Sequence, residues 1–233
     1  MLAYPVQLVH AYLIKRYKRF LADVRLDDGS IVTVHCTNSG SMKSCIEEGA
    51  EVFLSPASNP KRKTRFTWEM ILINGHWIGI NTMLPNLLVY QSIKENQIPG
   101  LENFPIVKRE VKFSDSRFDI YLENDHEKCF VEVKNVTMKV GEHALFPDAV
   151  TIRGRKHLET LIKVKNSGMR ALMIYVIQRV DVDKFGIAKE IDPDYFKSFL
   201  KAMNHGVEII PIQLEVKPQG VQILKELPLI QHI

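Results

Sequence analysis

The sequence predicts an α/β (α+β) chain in which a small β-barrel precedes a sheet flanked by helices. Over about the first 80 residues, short alternating runs are punctuated by turn signals, the pattern of antiparallel strands. From Pro85 onward, helix-like and strand-like periodicities alternate, as in an α/β unit. The boundary is placed near Leu84-Pro85, giving units of 1–84 and 85–233. Between Glu110 and Lys134 the second unit also carries an aspartate and a Glu-x-Lys on consecutive strand-like runs.

In the first unit, residues 20–26 alternate over their second half, and Asp27-Asp28-Gly29-Ser30 is a turn signal leading into the β-branched run 31–35. Glu51-Val52-Phe53-Leu54 is a short strand closed by Ser55-Pro56. Residues 66–73 form another, and Asn74-Gly75, a hairpin signal, turns it into Trp77-Ile78-Gly79-Ile80. Some five short strands suggest a small barrel, with the oligonucleotide-binding (OB) barrel the natural candidate. Two basic stretches interleave cations with aromatics: Lys15, Arg16, Lys18 and Arg19 around Tyr17 and Phe20, and Lys61, Arg62, Lys63 and Arg65 before Phe66 and Trp68. Cations neutralise phosphates and aromatic faces stack on unpaired bases. The cations are assigned together to a nucleic-acid surface; Phe20, Phe66 and Trp68 are assigned singly to the core. The loop 37–42 either presents backbone N–H groups to a phosphate or is a plain connection that uses the freedom of Gly40.

In the second unit, residues 86–96 have helical spacing, with Asn86 as N-cap and Leu87, Leu88, Tyr90, Gln91 and Ile93 following, before Pro99-Gly100 breaks the chain. Residues 151–166 form a basic helix with Leu158, Leu161, Ile162 and Lys165 on one side and Gly168 as its stop. The run 171–177 is nearly all apolar, as expected of a strand buried on both faces. Asp192-Pro193 caps a third helix with an apolar stripe of Tyr195, Phe196, Phe199, Leu200 and Met203, ended by Gly206. Residues 207–215 form a strand, turned at 217–220 into 221–224.

The chemistry lies between the first two of these helices. A strand opening at Asp119 and a second carrying Glu132 and Lys134 would form a hairpin through Glu123-Asn124-Asp125. Alternation puts Glu132 and Lys134 on one face, and the hairpin sets Asp119 beside Glu132. Glu110 is a further acid upstream. Two carboxylates and a lysine can hold a divalent metal and a water beside a phosphodiester. Glu-x-Lys alone is also a common solvated strand face; Asp119 and Glu110 give the set its similarity to the PD-(D/E)xK nuclease core.

Composition narrows the function classes. The 233 residues are 45% hydrophobic and 25% charged, as in ordinary globular proteins. A net charge of +4 permits nucleic-acid binding without arguing for it. Cys36, Cys45 and Cys129 have no C-x-x-C spacing, which suggests reduced thiols in a cytosolic protein; a zinc site at His35, Cys36 and Cys45 is a minor alternative. Residues 1–14 are moderately apolar and precede Lys15-Arg16, the reverse of an export signal, so a cytoplasmic location is expected. No apolar run approaches the roughly 20 residues of a membrane span. The sequence holds no P-loop or G-x-G-x-x-G fingerprint.

The segments 16–24, 38–42, 58–63, 116–119, 131–137 and 146–157, in that order, make the chain similar to the sugar fermentation stimulation protein A family over essentially its whole length. The resemblance implies an N-terminal small OB-like β-barrel followed by a PD-(D/E)xK nuclease-like α/β domain. It also implies DNA binding and a regulatory link to sugar (maltose) metabolism in enteric bacteria. Asn135 and Ile152 stand where the family leads one to expect Ser and Glu. In an active site of this kind, Asp119, Glu132 and the Val133 carbonyl hold Mg2+ or Mn2+, and Lys134 orients the attacking water. Glu110 binds a second ion or tunes Lys134. Arg117, Arg153, Arg155 and Lys156 join the phosphate-binding candidates, the last three with His157 at the start of a basic helix, where free N–H groups also favour anions. DNA is the expected partner, with RNA the alternative; oligomeric state is not fixed by the sequence. A nuclease-like fold that only binds DNA to regulate transcription, or a protein-interaction scaffold, are the competing readings.

Overall fold

The computed structural model describes residues 1–230. The chain begins with β1 (Val9–Tyr17), β2 (Leu21–Leu26), β3 (Ile31–His35), β4 (Glu51–Pro56), β5 (Phe66–Ile73) and β6 (His76–Gly79). They pair in the order β3-β2-β1-β4-β5-β6, and β3 also meets β5 at His35 and Thr67. That extra pairing closes β1 to β5 into the barrel of an OB domain. Alternation fills it: Ala11, Leu13, Ala22, Val24, Val52 and Leu54 all point inward with almost no exposure. Asn74 and Gly75 both take positive φ (50° and 76°), as the tight turn between β5 and β6 requires.

Two expectations for the barrel are corrected. β1 is a full strand, where the sequence suggested only a leading apolar stretch. A register shift between Leu13 and Lys15 breaks its alternation, and with it the period that would have announced it. Phe20 lies outside the core: it sits in the β1–β2 turn after Lys18 and Arg19, both at positive φ, and is 50% exposed. Trp68 is fully buried and Phe66 packs against the same core.

α1 (Leu84–Lys94) starts earlier than expected. Pro85 occupies its first turn, Met83 stands at the N-cap without a side-chain bond, and Asn86 is inside the helix with its side chain committed elsewhere. Next come the meander β7 (Ile106–Phe113), β8 (Ser116–Glu123) and β9 (Lys128–Val136), then β10 (Met138–Val140), β11 (His143–Phe146), α2 (Ile152–Asn166) and β12 (Arg170–Ile177). β13 (Lys184–Ile187), α3 (Pro193–Asn204), β14 (Glu208–Lys217), β15 (Gly220–Glu226) and β16 (Leu229–Ile230) complete the described chain. The main sheet runs β15-β14-β12-β9-β8-β7, with β12 parallel to both neighbours.

β8 begins at Ser116, three residues before the expected start, and the β8–β9 connection is Asn124 to Glu127, closed by Asn124 Oδ1 accepting from the N–H groups of His126 and Glu127. Thr151 caps α2 by accepting from Gly154 N–H, and Asp192 caps α3 by accepting from Tyr195 N–H. Val164, not Lys165, completes the buried face of α2. A second sheet, β10-β11-β13-β16, was not anticipated. Its strands of two to four residues are too short to show a period.

α2 and α3 cover one face of the main sheet around Phe118, Phe130, Leu158, Tyr175 and Tyr195. α1 covers the other, where barrel residues Phe53, Met70 and Trp77 join the same core as Val131, Leu172 and Ile174. The seam is therefore partly apolar, and polar groups fix its register. Gly79 N–H donates to Gln178 O at 2.9 Å, and a Cβ at Gly79 would overlap the Gln178 amide. Arg179, 2% exposed, grips both carboxylate oxygens of Asp181 and donates to Thr137 O at 2.7 Å and to Ser44 of the barrel.

Burial alone would raise the Asp181 carboxyl, but hydrogen bonds from Arg179 and Lys139 outweigh it and hold the group well below the usual carboxylate range. A depressed folded pKa contributes stability above the unfolded value of about 3.9, and that contribution fades as pH falls toward the folded value. Asp181→Asn should destabilise the protein by about 3 kcal/mol at pH 7, because it strands the buried Arg179 cation. Thermal unfolding at several pH values should show a deficit that is largest near neutrality and shrinks below about pH 4.

Candidate active site

The β8–β9 ladder runs up to the Ile120–Val131 pair. One step on, at Asp119, the side chain takes over from the backbone: Oδ2 accepts from Val133 N–H at 2.7 Å. The strands are thus held slightly apart with a carboxylate between them. An N–H and C=O of one extended residue point to the same side, so the Val133 carbonyl faces the same gap. Asp119 Oδ1 accepts from Asn86 Nδ2 at 2.7 Å, which is where the side chain of Asn86 goes in place of capping α1.

Glu132 is 3% exposed. Its Oε1 takes the Lys134 ammonium at 2.5 Å and also His157 Nδ1, from α2. With Nδ1–H given to Glu132, His157 Nε2 is left to accept from Arg153 Nε at 3.4 Å. Lys134 Nζ lies 3.0 Å from the same imidazole. Glu132 Oε2, by contrast, is buried without any hydrogen-bond partner.

The two carboxylates are in opposite electrostatic situations. Burial and then the Glu132 charge push the Asp119 carboxyl up to about 7. Burial also acts to raise Glu132, but Lys134 and His157 prevail and hold it below its ordinary value. Glu132 is therefore a buried anion with one bare oxygen, and its charge opposes ionisation of the nearby Asp119. A divalent cation between them would answer both conditions. Among the described residues no three His, Cys, Asp or Glu side chains form a cage; the site offers two carboxylates and a carbonyl, an all-oxygen set suited to a hard cation that keeps waters.

These groups lie in a cleft of about 560 Å3 between barrel and sheet. Asn86, Asp119, Glu132, Val133, Lys134, Arg153 and His157 line one side; Arg19 and the loop Thr37, Asn38, Ser39 and Gly40 line the other. The structure thus brings together Asp119, Glu132, Val133 and Lys134, with Arg19 and Arg153 beside them. Glu110 is exposed on β7 at positive φ (56°), outside the cleft lining, and only adds a minor repulsion at Asp119.

The other basic candidates are dispersed. Arg16 is structural, donating to the carbonyls of Arg19, Asn38 and Gly40 at 2.8–3.0 Å. Arg62 braces its own loop through Thr64 O, Phe66 O and Thr67 Oγ1. Lys15 pairs with Asp23, Arg155 with Asp194 and Lys156 with Asp115. Lys18, Lys61, Lys63, Arg65 and Arg117 are exposed. Cys36, Cys45 and Cys129 are free and buried, and the thiols of Cys36 and Cys45 bond Asn38 O and Met42 O inside the barrel.

Sequence reasoning missed Asn86 and underused His157, which it left in a basic cluster. The available signal was placement: His157 directly precedes Leu158 and stands four residues before Leu161, within the apolar face of α2, where a polar residue needs a buried partner.

Residues 14–80 match the SfsA N-terminal OB domain and residues 83–220 the sugar fermentation stimulation protein RE domain. A sugar fermentation stimulation protein homolog of Geobacter metallireducens is 45% identical over 228 residues, 97% of this chain and 98% of that protein. One from Paramagnetospirillum magneticum is 46% identical over 222 residues, 94% of each chain. The structure of Pyrococcus furiosus SfsA in complex with Ca2+ superposes with a TM-score of 0.90 at 28% identity, covering 98% of this chain and 99% of that one. With its closed barrel joined to a nuclease-like sheet, and both family domains matched in order, this chain belongs to the sugar fermentation stimulation protein family.

Proposed function

We propose that the protein is a cytoplasmic nucleic-acid-binding phosphodiesterase that takes DNA, with RNA as the alternative, into the cleft between barrel and sheet and cleaves it with a divalent cation. The observation that carries this reading is Glu132: a buried carboxylate whose one oxygen is fixed by Lys134 and His157 while the other is bare, close enough to Asp119 for its charge to raise that carboxyl. A carboxylate held this way is poised for a cation. The Ca2+ complex of the Pyrococcus relative supports a divalent ion in this family.

Asp119, Glu132 and the Val133 carbonyl would hold Mg2+ or Mn2+, and bound there the ion would supply Lewis acidity toward a phosphate oxygen and the attacking water. Lys134 places a positive charge where negative charge develops on the phosphorane oxygens and orients the water. His157 and Asn86 hold the carboxylates in place, as outer partners of metal ligands do. Arg19 and Arg153 neutralise the phosphates on either side of the scissile bond. Glu110, outside the cleft lining, is suited to a modest electrostatic role and not to ligation.

A second reading has its own support. Lys61, Lys63 and Arg65 are exposed on a barrel loop away from the cleft lining, a surface that can bind DNA without cutting it. In that case the protein acts on sugar-utilisation genes, as its relatives' name suggests, through binding alone.

The two readings separate on metal-dependent cleavage. Asp119→Ala and Glu132→Ala should each bring cleavage of labelled DNA in Mg2+ or Mn2+ to background while leaving binding within a few-fold of the parent. Cleavage that survives both substitutions rules out this site. His157→Ala should lower kcat by about 10–100-fold with little change in KM. His157→Gln, which can still donate to Glu132, should recover part of the loss. Equal defects in both variants would reduce His157 to a packing residue.

A further inference from the structure

The cleft has features that discriminate between paired and unpaired strands. Its barrel wall is pinned at several points to the segments opposite it, the β6–α1 linker, the β11–α2 connection and the start of β10. Thr82 bonds both Oγ1 and O of Thr37, and Asp148 accepts from Met42 N–H and Ser41 Oγ. Further on, Ser44 Oγ bonds Thr137 O and Lys139 N–H. A Cβ on Gly40 would overlap the Asp148 carboxylate, so the barrel loop and the β11–α2 connection are in direct contact there. Opening this wall would break several half-buried hydrogen bonds at once.

The space left between the walls is about 560 Å3, within the roughly 300–1,000 Å3 that encloses one small ligand. Against a duplex whose major groove alone is about 12 Å wide, an extended single strand is the closer match to this space. Glu132, at 3% exposure, lies at the floor. Exposed apolar side chains accompany the charged lining. Val150 lines the cleft and is 65% exposed; Phe20 and Ile152, 50% and 74% exposed, are the sequence neighbours of the lining residues Arg19 and Thr151. Isolated exposed apolar residues are ordinary, but these three lie at, or next in sequence to, the lining of one cleft, Phe20 on the barrel side and Val150 and Ile152 on the other. Unpaired bases offer apolar faces to such residues, whereas in a duplex those faces are stacked away.

We propose that the strand entering this cleft is unpaired: single-stranded DNA or RNA, or the frayed end of a duplex, with its phosphate at Asp119 and Glu132 and its flanking bases against Phe20 and Val150. The proposal rests on the phosphodiester reading of the site.

The test uses the full chain and labelled substrates of one sequence: single-stranded DNA, single-stranded RNA, a blunt duplex and a duplex carrying an unpaired tail. Fluorescence anisotropy in EDTA and in Ca2+ should show the single strands and the tailed duplex binding at least about tenfold tighter than the blunt duplex. In Mn2+, cuts in the tailed duplex should map to the tail. Phe20→Ala with Val150→Ser should reduce that preference by about fivefold or more without shifting the melting temperature, since both side chains are exposed. Blunt duplex bound as tightly as single strand, or cut within paired sequence at a similar rate, would overturn the proposal. If no substrate is cut, the phosphodiester reading fails, and the binding ratio alone still decides for or against an unpaired strand. The ratio between the DNA and RNA arms identifies the preferred sugar.

Discussion

The arrangement depends on a carboxylate kept charged where water scarcely reaches. Burying Glu132 is unfavourable unless its charge is answered. Lys134 answers it from two positions along the same strand, and His157 from the helix that packs on that strand. Both partners converge on one oxygen, which leaves the second without a hydrogen bond. In a purely structural ion pair that bare oxygen would be a defect. Beside an aspartate raised to about 7, it would be half of the proposed cation site.

The fold places these groups with few moving parts. Asp119 substitutes for a rung of the β8–β9 ladder, so its position follows from the strand register. α1 supplies Asn86 from one face of the sheet and α2 supplies His157 from the other. The barrel contributes no carboxylate but closes the cleft, and Arg179, Gln178 and Asp148 hold it there. Barrel and sheet therefore line one cleft at their seam.

Much of this was legible in the sequence for elementary reasons. The period of two on β9 places Glu132 and Lys134 on one face whatever their surroundings. The Asn74-Gly75 turn and the Asp192-Pro193 cap announced their elements through local backbone preference. What was hidden was either too short or too distant. A bulge in β1 erased its alternation, and the strands of the second sheet are shorter than any period. Asn86 reads as a helix cap because nothing local reveals that its amide is needed by an aspartate 33 positions on. The basic stretches misled in a different way: they read as one charged surface, yet Arg16 and Arg62 spend their guanidinium groups on loop carbonyls.

The central claim is that Glu132 and Asp119 form a divalent-cation site, and calorimetric titration of the apo-protein with Mn2+ tests it without reference to any substrate. The account predicts saturable binding that is abolished in Glu132→Gln and in Asp119→Asn, both of which keep the side chain's shape. Mn2+ binding of unchanged affinity and stoichiometry in both variants would contradict it.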